Sequence, residues 1–464
     1  MLLKNAIEEI NGLRFMIDKL DIQSSWAKRI LLDSPYLHSA EEINTELNKV
    51  EQTCQFLNQA KSSDIIDKIC LKLMQTKDIR GTIKRIFEQQ NLDDIELFEI
   101  KTLALAVSEI RDLLQEGKFN IIRLPDLEAV INLLDPEVMR VPYFYVYDAY
   151  SKELAILRKK IKNIQMNPDA HEEKLENLQY EHTLIEDRIR EELSIQIQQY
   201  KQEIKDAFQN IAVLDILIAK GKQVIELGLQ KPNVAQEITT YKKIFNPQVQ
   251  DALSHEGKKY QPIDIRIEKK ACLISGANMA GKSVILRTVA LAQALFQFGF
   301  YIPAEEAEIA LVDKISLCIG DEQNELKGLS SYASEILRIN TIIQEIKAGK
   351  EALVLIDELA RTTNPEEGKA IVNAVLEFMT THHCRALITS HYSGIKANCN
   401  RLRVKGFIKD KVNGVLNVNN INEYIDYSLV EDTGDNVPQG ATRIARMLGV
   451  DEELLDKVEQ YMEQ

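Results

Sequence analysis

From the first residue to about residue 245, apolar side chains recur at spacings of three and four among many Ile, Leu, Glu, Lys and Gln and few glycines, a pattern that predicts helices. The most regular stretch carries Leu154, Leu157, Ile161 and Ile164 as one stripe. It is broken by "NPD" at Asn167 to Asp169 and resumes with Leu175, Leu178, Ile185, Ile189, Ile197, Tyr200, Ile204 and Ile211. The expected object is a long antiparallel helix pair over about 150 to 220. Periodicity leaves open whether it is a coiled-coil strut or a moving lever.

The texture changes after "KPN" at Lys231 to Asn233 and Asn246-Pro247. The runs "PIDIRI", "ACLIS", "DKISLCI", "ALVLID" and "RALITS" have the length and apolar character of strands. They alternate with helical patterns over 284 to 298, 332 to 347, 366 to 380 and 439 to 462. Such alternation predicts an α/β domain with a largely parallel sheet. The expected organisation is a helical domain over 1–245 followed by an α/β domain over 246–464.

Length supports this division, since 464 residues exceed what one core ordinarily organises. No stretch approaches the roughly 20 uninterrupted apolar residues of a membrane span. The opening "MLLKNAIEEINGLRF" carries acids where a signal peptide has its apolar run, so a cytoplasmic location is expected. Six cysteines occur without a CxxC pair, which suggests neither a zinc knuckle nor a disulfide framework. The net charge of −14 opposes a polyphosphate, so DNA binding requires a local basic face.

"SGANMAGKS" at 275 to 283 carries the chemistry. Gly276, Lys282 and Ser283 match G-x-x-x-x-G-K-[ST] between a predicted strand and a predicted helix, the context that the phosphate-binding loop requires. Glycines let backbone N–H groups wrap phosphates, Lys282 reaches the outer ones, and Ser283 can ligate Mg²⁺. "ALVLIDE" ends in Asp357 and Glu358, at the distance downstream expected of a strand neighbouring the loop. The aspartate can hold Mg²⁺ through water and the glutamate can orient and deprotonate the attacking water. His391 in "LITSHY" follows the next predicted strand, where a neutral imidazole could reach a γ-phosphate.

Together "GANMAGKS", "YIPAEEAEIALVDKISLCIGDEQNELKGLSSYASEI", "LVLIDELARTTNPEEG" and "LITSHY" resemble the ATPase domain of the MutS family of DNA mismatch-repair proteins. The resemblance continues through "PQGATRIARMLGVDEELLDKVEQYM". It reaches back more weakly to "SSWAKRILLDSPYLHSAEEINTELNKVEQ" and "YFYVYDAYSKELAILRKK". It implies an ABC-type P-loop ATPase domain with C-terminal dimerisation helices, using ATP and Mg²⁺. It assigns the loop residues Gly276, Ala277, Asn278, Met279, Ala280, Gly281, Lys282, Ser283 and Val284 to the nucleotide, with Ser283 and Asp357 at the metal, Glu358 at the water and His391 at the γ-phosphate. Tyr260 sits where the family stacks an aromatic ring on adenine. Ser330 sits where a serine reaches the nucleotide of the opposite subunit, while as an isolated residue it reads as a helix N-cap. The implied assembly is a homodimer, or a heterodimer with a MutS-like paralogue, in which ATP binding and closure are one process.

Departures narrow the expectation. The chain begins directly in the helical core, without the family's mismatch-reading and connector regions. "NIQMNPDAHEEKLENLQ" replaces the strand-containing clamp between the lever helices. Ala280 and Ala360 stand where the family has glycine, Thr362 replaces another glycine, and Ser390 replaces a threonine. Two functions follow from different classes. In one, a mismatch-repair-related ATPase couples nucleotide state to DNA through "RKKIK" (158 to 162) and "RLRVKGFIKDK" (401 to 411); in the other, the same machine remodels or reactivates a partner enzyme without DNA.

Overall fold

The computed structural model describes residues 1–60, 62–166, 172–276, 281–319, 331–361, 363–408, 424–432, 445–446 and 449–462. The predicted "NPD" turn therefore lies outside the described residues. Contacts group the chain into two compact units: Met1–Leu20, Ser34–Val50 and Gln223–Gln464 form one, and Asp21–Asp33 with Glu51–Lys222 form the other. This division differs from the expected one at residue 245, because segments of the first fifty residues pack with the second half of the chain.

The unit of Asp21–Asp33 and Glu51–Lys222 is helical. Trp26 is buried and stacked on Phe208 with ring centroids 3.9 Å apart. The buried Asp215 carboxylate accepts from the Gln23 and Ser24 backbone N–H groups at 3.0 and 2.8 Å and from the Ser24 hydroxyl at 2.6 Å, anchoring the two residues that lead into helix Ser25–Leu32. Helix Asp94–Glu116 begins with a reciprocal Asp93/Glu96 capping box. Midway along it, the fully buried Lys101 ammonium donates to Asp135 Oδ1, the Tyr143 carbonyl and the Tyr147 hydroxyl at 2.9, 2.8 and 2.9 Å.

The expected antiparallel pair is present as helices Lys152–Gln165 and Glu172–Ile197, which contact each other. A short 3₁₀ turn at Gln198–Tyr200 joins the second to helix Lys201–Leu227. Burial along the stripe rises along helix Glu172–Ile197: Leu175 and Leu178 are half-buried, whereas Ile185, Ile189 and Ile197 are buried. Arg158 ties the pair together through Glu186 at 2.7 Å.

The other unit contains β1 (Asn233–Ala235), β2 (Thr239–Ile244), β3 (Ile263–Ile267), β4 (Ala271–Ser275), β5 (Glu306–Ala310), β6 (Lys314–Cys318), β7 (Ala352–Ile356), β8 (Arg385–Thr389), β9 (Asn400–Phe407) and β10 (Ile425–Glu431). The five predicted strands appear as β3, β4, β6, β7 and β8. β1 and β2 fall within the half expected to be helical; Thr239, Tyr241 and Ile244 of "TTYKKI" are buried, and the strand pairs with β3 and β5.

One sheet has the order β1-β5-β2-β3 and the other β10-β9-β4-β8-β7-β6. The second is parallel apart from the antiparallel β9/β10 pair. Every residue of β7 and β8 is buried, as a sheet covered on both faces requires. Helices Ser331–Lys347 and Pro365–Thr381 pack into one apolar cluster with β4, β7 and β8. Helix Lys282–Gln297, which contacts β6, β7 and β8, is nearly all buried. Its buried amides are satisfied: Gln293 donates to the Ala310 carbonyl at 3.0 Å and Gln297 to that of Val312 at 2.9 Å.

Candidate nucleotide site

β4 ends at Ser275 and helix Lys282–Gln297 begins at Lys282. Gly276, just after the strand, and Gly281, just before the helix, have φ of 149° and 75°, backbone that side-chain-bearing residues adopt at a cost. Gly281 is also constrained by space, since a methyl group there would lie 3.0 Å from Tyr427 Cδ1. Lys282 is 5% exposed and its ammonium donates to the Gly276 carbonyl at 2.7 Å, spanning the loop. Burial lowers its pKa, and the nearby negative charges of Glu358 and Asp357 oppose that shift. Ser283 and Val284 follow, both half-buried. Ala277, Asn278, Met279 and Ala280 lie outside the described residues, as do Ser330 and Thr362.

The strand bearing Asp357 and Glu358 is not the immediate neighbour of the strand bearing the loop. β8 lies between β4 and β7, and this inserted strand supplies the group that joins the parts. Thr389, the fully buried last residue of β8, donates its hydroxyl to Asp357 Oδ1 at 2.7 Å. Thr389 Oγ1 in turn accepts the Glu358 backbone N–H at 2.7 Å. Glu358 and Ala360 both hold left-handed backbone, at φ of 49° and 59°, which costs about 1–2 kcal/mol per residue without compensating contacts.

The compensation is visible. The Ala360 N–H donates to Glu335 Oε1 at 3.0 Å, and the Ala360 carbonyl accepts from the Tyr392 hydroxyl at 2.7 Å. Arg361 holds Glu358 Oε2 at 2.9 Å. Gly368 makes room for Tyr392: a methyl group there would lie 2.2 Å from the tyrosine oxygen.

His391 is exposed two residues beyond β8, with its ring 4.1 Å from that of Tyr392. Ser390 accepts from the Tyr392 backbone N–H at 3.1 Å. Tyr260 is half-buried, with its hydroxyl near the Thr288 side chain and the Asn246 backbone. Tyr427, unnoticed in the sequence, packs on Gly281. It is held there by Gln261, which accepts the Tyr427 N–H at 3.1 Å and donates to Asp426 at 2.8 Å. Thr389, Glu335 and Tyr392 were also missed. Their roles depend on strand order and helix packing, which no short motif records.

The two basic segments are partly engaged within the molecule. Arg158 bonds Asp148 and Glu186, Arg401 donates to the Ile395 and Ala397 carbonyls, and Lys405 pairs with Asp426. No described helix is long and apolar enough to cross a membrane.

The family model for MutS domain V matches residues 272–464. Endonuclease MutS2 of Caldanaerobacter subterraneus subsp. tengcongensis is 30% identical over 326 residues, covering 68% of this chain and 38% of that protein. Endonuclease MutS2 of Thermus thermophilus is 32% identical over 194 residues, 42% of this chain and 25% of that protein. The DNA mismatch repair protein MutS of Carboxydothermus hydrogenoformans is 33% identical over 225 residues, 47% of this chain and 25% of that protein. The matched stretch thus spans less than two fifths of the length of each of these relatives.

Proposed function

The chain is a MutS-family protein carrying a MutS domain V, and from that premise we propose that it binds and hydrolyses ATP with Mg²⁺ as a dimer whose nucleotide state sets the position of its lever helices and its hold on a target. The observation that carries the reading is the junction at Thr389, where one hydroxyl ties the Asp357 carboxylate to the Glu358 backbone in a region whose negative charge acts on Lys282.

Lys282 and the backbone of the 276–281 loop would hold the phosphates, with the adenine near Tyr260. The hydroxyl of Ser283 and the carboxylate of Asp357 would hold Mg²⁺, as hard oxygen donors of the kind that ion takes alongside phosphate oxygens and water. The ion, when bound, supplies charge neutralisation on the phosphoryl group being transferred. Glu358 orients the attacking water and takes its proton at a carboxylate oxygen. Arg361 limits how far that carboxylate swings, through the ion pair at Oε2. His391 reports the presence of the γ-phosphate, and Ser330 of a second copy completes the site across the dimer.

Nucleotide titration and turnover test the assignment. Lys282→Ala should abolish tight ATP binding. Glu358→Ala should keep binding and slow hydrolysis by about 100-fold. Undiminished turnover in Glu358→Ala refutes the assigned base.

For the target, the family relationship supports DNA. The engagement of Arg158, Arg401 and Lys405 within the chain, with a net charge of −14, supports the second reading, remodelling of a partner enzyme. Salt-dependent DNA affinity with and without ATP separates them: a steep salt slope and an ATP effect support DNA, and their absence removes it.

A further inference from the structure

A cavity of about 410 Å³ opens beside helix Lys282–Gln297, away from the loop residues, within the range of small-molecule sites. Its wall includes the run Lys314 to Leu317 along β6, the edge strand of the six-stranded sheet. Arg287 contributes from helix Lys282–Gln297, Arg338 from helix Ser331–Lys347, and Asn11 from the first residues of the chain.

Two polar groups in this wall lack partners. Ser316 is 5% exposed and its buried hydroxyl has no hydrogen bond; the buried Nε of Arg287 has none either. Buried polar groups are nearly always satisfied, so a donor pair left open on one cavity is a preformed demand for an acceptor.

The charges say what kind. Of the cavity's three carboxylates, Glu8 is engaged by Arg14, Glu345 is engaged by Lys314 at 2.9 Å, and Glu9 stands exposed to solvent. None of the three forms an ion pair with the half-buried Arg287, whose guanidinium has no anion among the described residues. Its planar fork matches phosphate or carboxylate oxygens.

We propose that this cavity is a second ligand site, distinct from the nucleotide loop, which takes a small organic anion by its phosphate or carboxylate group. Arg287 provides the fork and the Ser316 hydroxyl donates a further bond to the same oxyanion. The site does not require the ATPase reading, because none of its residues belongs to the phosphate loop or to the Asp357/Glu358 turn.

The test uses the full chain carrying Lys282→Ala, so that the nucleotide loop does not compete for the probe. Sodium phosphate and sodium succinate, titrated separately by calorimetry and thermal shift against matched sodium chloride, should show saturable binding of at least one probe. The probe that binds identifies the anion class. Arg287→Met should weaken it at least about tenfold, which a lost bidentate contact amounts to.

Ser316→Ala should also weaken binding while leaving the ligand-free protein as stable as before or more so, since it removes a buried hydroxyl with no bond to lose. That variant guards against loss of binding through misfolding. Absence of saturable binding by both probes overturns the proposal, as does unchanged affinity in both Arg287→Met and Ser316→Ala.

Discussion

Replacing Thr389 by valine keeps the volume of a fully buried side chain and removes one oxygen, which makes and receives the two bonds at the Asp357/Glu358 junction. A hydrogen bond to a charged group contributes about 1.5–3 kcal/mol and a stranded N–H costs about 1–3 kcal/mol. Simple addition gives roughly 4 kcal/mol. Asp357 and Glu358 are each half-buried, so water replaces part of what is lost, and the expected cost falls to about 2 kcal/mol.

The catalytic effect should exceed what that cost suggests. Glu358 holds left-handed backbone at φ 49° with its N–H anchored on Thr389. Loss of the anchor lets the turn relax and moves the carboxylate from the water that it is proposed to activate, and displacements near 1 Å cost about 100-fold. Thr389→Val should therefore lower kcat by about ten- to a hundredfold with a much smaller change in KM, whereas Thr389→Ser should retain most activity. Steady-state ATPase kinetics alongside calorimetric unfolding check both halves. Wild-type kcat in a folded Thr389→Val protein, or failure of serine to rescue, refutes the argument.

Lys101→Met strands the buried Asp135 carboxylate and should destabilise its unit by about 3–5 kcal/mol. Urea unfolding followed by the fluorescence of Trp26, the sole tryptophan, reads this directly, and a loss under about 1 kcal/mol contradicts it. Gly368→Ala, ordinarily favourable in a helix by about 1 kcal/mol, should instead be destabilising, because the methyl group displaces the Tyr392 hydroxyl from the Ala360 carbonyl. Tyr392→Phe, which removes the same bond, should be destabilising as well, and calorimetric unfolding of the two variants compares them.

ATP affinity should be flat near neutrality and decline in alkali, because burial lowers the Lys282 pKa and the nucleotide selects the protonated amine. Glu358→Gln removes a charge opposing that shift, so its decline should begin at lower pH. Fluorescent-nucleotide titrations between about pH 7 and 10 compare the curves, and a decline at higher pH in the variant gives the wrong sign.

The buried strands were legible because "ACLIS", "ALVLID" and "RALITS" are apolar runs. β9 was not, since "NRLRVKGF" is charged and mostly half-buried, and it becomes a strand by pairing with β4 and β10. The motif order identified Asp357 and Glu358 but misjudged their distance from the loop strand, because sequence order does not reveal that β8 inserts between β4 and β7. That insertion gives Thr389 its place, and the same blindness hid Glu335 and Tyr392. Ser390 drew notice as a departure from the family, yet the adjacent Thr389 makes the bonds.

The shared unit built from Met1–Leu20, Ser34–Val50 and Gln223–Gln464 bears on synthesis. Leu37 donates its N–H to the Gln297 carbonyl, and its own carbonyl accepts from the Gln297 amide, across 260 residues of chain. Those early segments leave the ribosome long before their neighbours exist, while Glu51–Lys222 can assemble during the wait. A fragment cut at residue 246 to isolate the MutS domain V would discard part of its own interior, and should yield insoluble material unless the opening fifty residues are supplied as well.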